Sequence, residues 1–165
     1  MKYRRFEDLP VWKDSAELAR QMFEFTSVEP LRRHPGLRDQ LERAALSVSN
    51  NVAEGFERGT TNELLSFLYI ARGSAGEVRS MLRVLEGWPA FSNYKSQISD
   101  LTDRCEKISK QLYGWIESLK ESDIPGQRRF NEKEKLRYAG KKDREEFLAE
   151  LRRLTDEREK GKTPK

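Results

Sequence analysis

The chain has one cysteine and one histidine among its 165 residues. Cys105 therefore has no partner for an internal disulfide, and His34 anchors no metal cluster without carboxylates at ligand spacing. A glycine-rich phosphate loop, paired cysteines, a Glu-x-x-His pair and a nucleophile elbow are all missing, which removes the common signatures of nucleotide, metal and hydrolase chemistry. His34 precedes a proline in a connecting segment and reads as an ordinary loop histidine. Glu54, Glu63 and Glu77 lie on or beside adjacent predicted helices, but no aspartate or histidine stands three or four residues away to complete a carboxylate di-metal pattern. The expectation is a non-enzymatic protein with no catalytic residue, cofactor or metal.

Long apolar runs are missing too. No stretch of 18 apolar residues exists to span a bilayer. The start, Met1-Lys2-Tyr3-Arg4-Arg5-Phe6-Glu7-Asp8, is basic but leads into charge rather than into the apolar core of an export signal. A reducing, cytoplasmic setting without membrane contact is the natural expectation.

What the chain has in quantity is charge. Hydrophobic and charged residues each make up 36% of it, the balance of helices with one buried and one solvated face. The net charge is +4, yet residues 131–165 hold 12 Lys+Arg against 9 Asp+Glu, leaving 20 against 19 for residues 1–130. The body is nearly neutral, so a basic site on it has to be a local patch.

Periodicity predicts four helices. Asp8 is the expected cap of the first, with Pro10 in its first turn and a stripe of Leu9, Trp12, Ala16, Ala19 and Phe23, flanked by Leu18, Met22 and Phe25; Pro30 ends it. The second begins near Pro35 and buries Leu37, Leu41, Ala44, Ala45, Val48 and Val52. Gly59 reads as a left-handed C-terminal cap, and Thr60 with Glu63 as a capping box. So short a turn makes the second and third helices antiparallel neighbours.

The third helix carries two stripes: Leu64, Leu68, Ala71, Ala75, Val78, Leu82 and Leu85, then Phe67, Ile70, Met81, Val84 and Trp88. Their union is wider than the roughly 100° a helix buries against one core. Either this helix is central, or the second stripe is an oligomer interface. Gly73 and Gly76 in its middle cost about 1 kcal/mol each relative to alanine, which points to a close backbone crossing or to a break in the helix. The fourth helix, capped by Ser92 or Asn93, has a seam of Ile98, Leu101, Cys105, Ile108, Leu112, Trp115 and Leu119. Ile124-Pro125-Gly126 marks the boundary between a bundle over 1–124 and a charged, partly helical C-terminal extension over 125–165, where Phe147, Leu151 and Leu154 share a helical face. That tail is either solvated or docks on a partner or a neighbouring subunit.

Arg72, Arg79 and Arg83 share one stripe of the third helix, and Lys2, Arg4 and Arg5 cluster at the N-terminus. These are the candidate nucleic-acid contacts. The competing reading is ordinary exposed ion pairing, for example of Arg79 with Glu86 or with another helix.

Four segments carry a resemblance: Phe6-Glu7-Asp8-Leu9-Pro10-Val11-Trp12-Lys13, the run Leu37 to Val48, Asn51-Val52-Ala53-Glu54-Gly55, and Ile70-Ala71-Arg72-Gly73-Ser74-Ala75-Gly76-Glu77. In this order they resemble the bacterial four-helix-bundle family named for open frames in the intervening sequences of large-subunit ribosomal RNA genes. That family is similar to the accessory variability determinant proteins of diversity-generating retroelements. The resemblance implies an all-α, antiparallel up-down-up-down four-helix bundle that assembles as a homo-oligomeric ring, typically a pentamer, with no known catalysis. For the retroelement relatives it further implies a basic surface for RNA or DNA and a reverse transcriptase as partner. Trp12, Asn51, Glu54 and Gly55 fall in the matching motifs and read as structural. The function expected is a scaffold or adaptor that binds nucleic acid; the alternative is a purely protein-binding oligomeric module.

Overall fold

Segments with one apolar stripe and heavy charge elsewhere bury that stripe by folding as helices that pack stripe to stripe, which also satisfies the backbone internally. The computed structural model describes residues 3–121, 140, 144–150 and 152–153. Its elements are helical: a 3-10 turn over Phe6–Asp8, α1 over Pro10–Phe25, a single-turn α2 over Glu29–Arg32, α3 over Pro35–Glu57, α4 over Thr61–Glu86, a 3-10 turn over Pro89–Tyr94, and α5 over Lys95–Lys120. The chain divides into two units, Met1–Arg128 and Arg129–Lys165. In the second, residues 144–150 are helical, with Phe147 and Leu148 exposed. The expected boundary at Ile124-Pro125-Gly126, and Leu151 and Leu154, lie outside the described residues.

Helices α3 and α4 pack on each other, as do α4 and α5, and α1 lies against both α3 and α5. All seven residues of the α4 series from Leu64 to Leu85 are buried, as are Leu41, Ala44, Ala45, Val48 and Val52 of α3. The capping box forms: the Glu63 N–H donates to the Thr60 hydroxyl at 3.2 Å, and the Thr60 N–H donates to the Glu63 carboxylate at 3.2 Å.

Several expectations shift. The buried face of α1 is Val11, Ser15, Leu18, Ala19, Met22 and Phe25, whereas Phe23 is 45% exposed and Trp12 and Ala16 are half-buried. Ser15 made the true stripe look interrupted, but its hydroxyl donates to the Val11 carbonyl at 2.6 Å and so enters the core satisfied. In α5 the seam runs on through Ile116, with Trp115 and Leu119 only partly buried beside it. Asp8 sits in the 3-10 turn and Leu9 precedes α1 without a side-chain cap. Ser92 and Asn93 likewise fall inside a 3-10 turn, and α5 starts after Tyr94. Among the described glycines none has positive φ; α3 ends instead on Arg58 in extended conformation, so Gly59 is not a left-handed cap. Pro30 lies within α2 rather than at the end of α1.

The α1–α5 contact is polar at its rim. Asp14 accepts from Gln111 Nε2 at 2.6 Å and pairs with Lys107 Nζ at 3.0 Å, with Arg104 at 3.9 Å; Arg104 also donates to Gln21 Oε1 at 3.0 Å. Burial pushes the Asp14 carboxyl upward, but hydrogen bonds from Gln111 and Lys107 and the charges of Lys107 and Arg104 outweigh it and hold it below the ordinary 3.8. A carboxyl depressed by folding contributes stability above its unfolded value and loses it as pH falls through the folded one. Acid titration of the unfolding free energy should therefore show Asp14→Asn less stable than the parent at neutral pH and converging on it in acid. A constant difference at every pH would remove this linkage.

Candidate nucleic-acid interface

Residues 69, 72, 76, 79 and 83 recur at 3-4-3-4 spacing, which places Tyr69, Arg72, Gly76, Arg79 and Arg83 on one flank of α4. This flank faces α5. The Arg72 guanidinium lies 5.1 Å from the centre of the Tyr113 ring, and Lys120 Nζ lies 5.8 Å from that of Tyr69. Arg79 Nη1 is 3.7 Å from Glu106, Arg83 Nη1 is 2.8 Å from Glu86, and Lys120 Nζ is 2.8 Å from Glu117. The hydrogen bond to Glu86 raises the Arg83 guanidinium, and hydrogen bonds with Glu117 and Tyr69 raise the Lys120 ammonium, so both cations are fixed charges. Among the described residues, no carboxylate pairs with Arg72. A groove of about 430 Å³ opens between Gly76, Arg79, Ser80, Arg83 and Val84.

The three arginines predicted to share a stripe thus do so, and two of them also make ion pairs. Arg79 reaches another helix and Arg83 its own. Arg4 and Arg5 are placed elsewhere. Both are exposed ahead of the first 3-10 turn, which packs on α1 and α3, and Arg5 Nη2 pairs with Glu7 at 2.7 Å.

The predicted second stripe of α4 splits. Ile70 and Val84 are 51% and 68% exposed. Met81 packs partly buried on the core, and Trp88 rests on His34 and Phe91 at ring distances of 4.9 and 5.4 Å. Phe67 lies under the Arg58 guanidinium at 5.0 Å and against Gly55. The outward stripe is instead Ser66, Ile70, Gly73, Glu77, Ser80 and Val84. A Cβ added at Gly73 or Gly76 would meet nothing within 4 Å, so the expected crossing at these glycines is absent among the described residues. The close crossing is at Gly55, where a Cβ would stand 2.7 Å from Phe67 Cβ.

The remaining motif residues make structural contacts, within a helix or to a neighbouring element. Asn51 Nδ2 donates to the Ser47 carbonyl at 2.8 Å and to its hydroxyl at 2.9 Å, and that hydroxyl meets the Ser74 hydroxyl of α4 at 3.0 Å. Glu54 pairs with Arg58, and Trp12 meets Phe6 edge-on at 5.2 Å. Burial pushes the Cys105 thiol up to about 12, making it an unreactive core side chain. Among the described residues no three His, Cys, Asp or Glu side chains are grouped to hold a metal ion, and no helix is long and apolar enough to cross a membrane.

Tyr69, Tyr113 and Lys120 were not singled out by sequence. Their spacing within each helix is visible there, but which residue of α5 meets which residue of α4 depends on the packing register.

These features define a helical, bundle-like protein with polar contacts between α1 and α5 and an exposed cation–aromatic flank on α4 and α5. The model of the 23S rRNA-intervening sequence protein family matches residues 7–114, and the chain belongs to that family. Among curated proteins none matches it.

Proposed function

We propose that α1, α3, α4 and α5 form an antiparallel up-down-up-down four-helix bundle, and that this bundle is a non-enzymatic scaffold that assembles with copies of itself and binds RNA or DNA. The contact registers support the topology. Along α3 and α4, Gly55 meets Phe67, Ser47 meets Ser74 and Gln40 meets Glu77. Between α4 and α5, Tyr69 meets Lys120, Arg72 meets Tyr113 and Arg79 meets Glu106. In each pair one number falls as the other rises.

The observation that carries assembly is the outward stripe of α4: a mid-helix glycine, Gly73, with open space beside it, between exposed Ile70 and Val84. A glycine there costs helix stability and gains no close contact among the described residues, whereas a second copy could approach the bare backbone closely. A pentameric ring is the assembly that the family resemblance implies. Light scattering of the parent at micromolar concentration should give an oligomer. Ile70→Asp with Val84→Asp, which places charges in the interface, should give a folded monomer; a monomeric parent would remove this reading.

Nucleic-acid binding is supported by the exposed arginine flank, in a chain whose family is described as the 23S rRNA-intervening sequence protein. A titration of labelled RNA at two salt concentrations should give a steep negative salt slope, reduced when Arg72, Arg79 and Arg83 become glutamate. A reverse transcriptase is the protein partner the retroelement relatives point to, and the setting is cytoplasmic. The second reading, a purely protein-binding oligomeric module, draws on the exposed Phe147 and Leu148 of the C-terminal unit; it requires that no RNA or DNA bind at either salt concentration.

A further inference from the structure

The α4–α5 flank holds more than charge. Tyr69 is 46% and Tyr113 50% exposed, on neighbouring helices, and each has a cation beside its ring. From Tyr69 to Arg83 the flank spans 14 residues of helix, or about 21 Å at the rise of an α-helix. Two cation–ring pairs, Lys120 with Tyr69 and Arg72 with Tyr113, occupy one end of this track, and Arg79 and Arg83 continue it toward the other. A duplex presents phosphates to such a surface but keeps its base faces stacked inside; a single strand offers both.

We propose that this flank binds a single strand of nucleic acid, Tyr69 and Tyr113 stacking bases while Arg72, Arg79, Arg83 and Lys120 hold phosphates. The inference rests on the nucleic-acid reading above and narrows its ligand. Arg72 supplies a planar guanidinium already laid against Tyr113, so a base stacks on the pair without first ordering it. Gly76 and Ser80 leave the groove between Arg79, Arg83 and Val84 open for a phosphate. Glu86, Glu106 and Glu117 face the same cations, and a phosphate has to displace them. These ion pairs are exposed, where such contacts contribute about 0–1 kcal/mol, and the Arg79–Glu106 pair is long at 3.7 Å. Glu106 is the carboxylate that competes while holding Arg79 least.

The test is fluorescence anisotropy with labelled RNA of about 12 nucleotides, within the usual site sizes of single-strand binders, offered as a single strand and as a duplex. The parent should prefer the single strand. Tyr69→Ala and Tyr113→Ala should each weaken single-strand binding by about 5- to 100-fold, the range of one lost base stack, with duplex binding unchanged. Tyr69→Phe and Tyr113→Phe retain the ring and should retain affinity, separating stacking from any loss of folding. Glu106→Gln should strengthen binding. Equal affinity for single strand and duplex, or single-strand binding that survives both alanine substitutions, overturns the track and leaves the nucleic-acid reading standing; binding of neither probe removes both.

Discussion

Leu112→Ala is expected to lower the unfolding free energy by about 2 to 5 kcal/mol, the range for a large buried side chain whose cavity cannot fully collapse. Leu112 is fully buried on the face of α5 that runs from Ile98 to Ile116. Leu119→Ala, on a partly buried position at the end of the same helix, removes a side chain of equal size and should cost clearly less. Chemical denaturation measures both, through the midpoint at constant slope. A Leu112→Ala loss no larger than that of Leu119→Ala would mean the buried seam of α5 lies elsewhere. A native domain is stable by only about 5–15 kcal/mol, so this single side chain accounts for a large fraction of the total.

The two series built only of apolar residues, Leu64 to Leu85 of α4 and Ile98 to Leu112 of α5, were legible because every turn of the helix repeats the same signal. In α1 the core stripe contains Ser15, and the neighbouring stripe, with Trp12 and Phe23, looks more hydrophobic. What decides is that Ser15 can bond to its own helix and cost nothing on burial, which no hydropathy pattern records. Helix ends are less legible in this sequence than helix faces. Thr60 and Glu63 signal their cap reciprocally, whereas Leu9 and Tyr94 precede helices with no side-chain cap at all. In the candidate site, the stripe shared by Arg72, Arg79 and Arg83 follows from spacing alone. Their partners Tyr113 and Glu106 do not, because 41 sequence positions separate Arg72 from Tyr113 and 27 separate Arg79 from Glu106, far beyond the three- and four-residue spacing that a helix sets by itself.

Gly55→Ala and Gly73→Ala make the same chemical change on facing helices and should have opposite signs. At Gly55 the new methyl would stand 2.7 Å from Phe67 Cβ and 3.1 Å from Leu64 Cδ1. Phe67 Cβ is fixed to the backbone of α4, so the helices have to separate just where the short turn holds them together. Overpacking of this kind costs about 1–3 kcal/mol, more than the gain of about 1 kcal/mol from replacing a helical glycine. At Gly73 nothing lies within 4 Å, the overpacking term vanishes, and the monomer should be stabilised by up to about 1 kcal/mol. The same methyl stands on the outward stripe between Ile70 and Glu77, where a second copy would approach, so Gly73→Ala should weaken self-association while raising the denaturation midpoint of the dissociated chain. Measured together by denaturation and light scattering, the two variants separate a glycine needed inside the chain from one needed between chains. A Gly73 variant that gains stability and assembles as well as the parent would move the interface off this stripe.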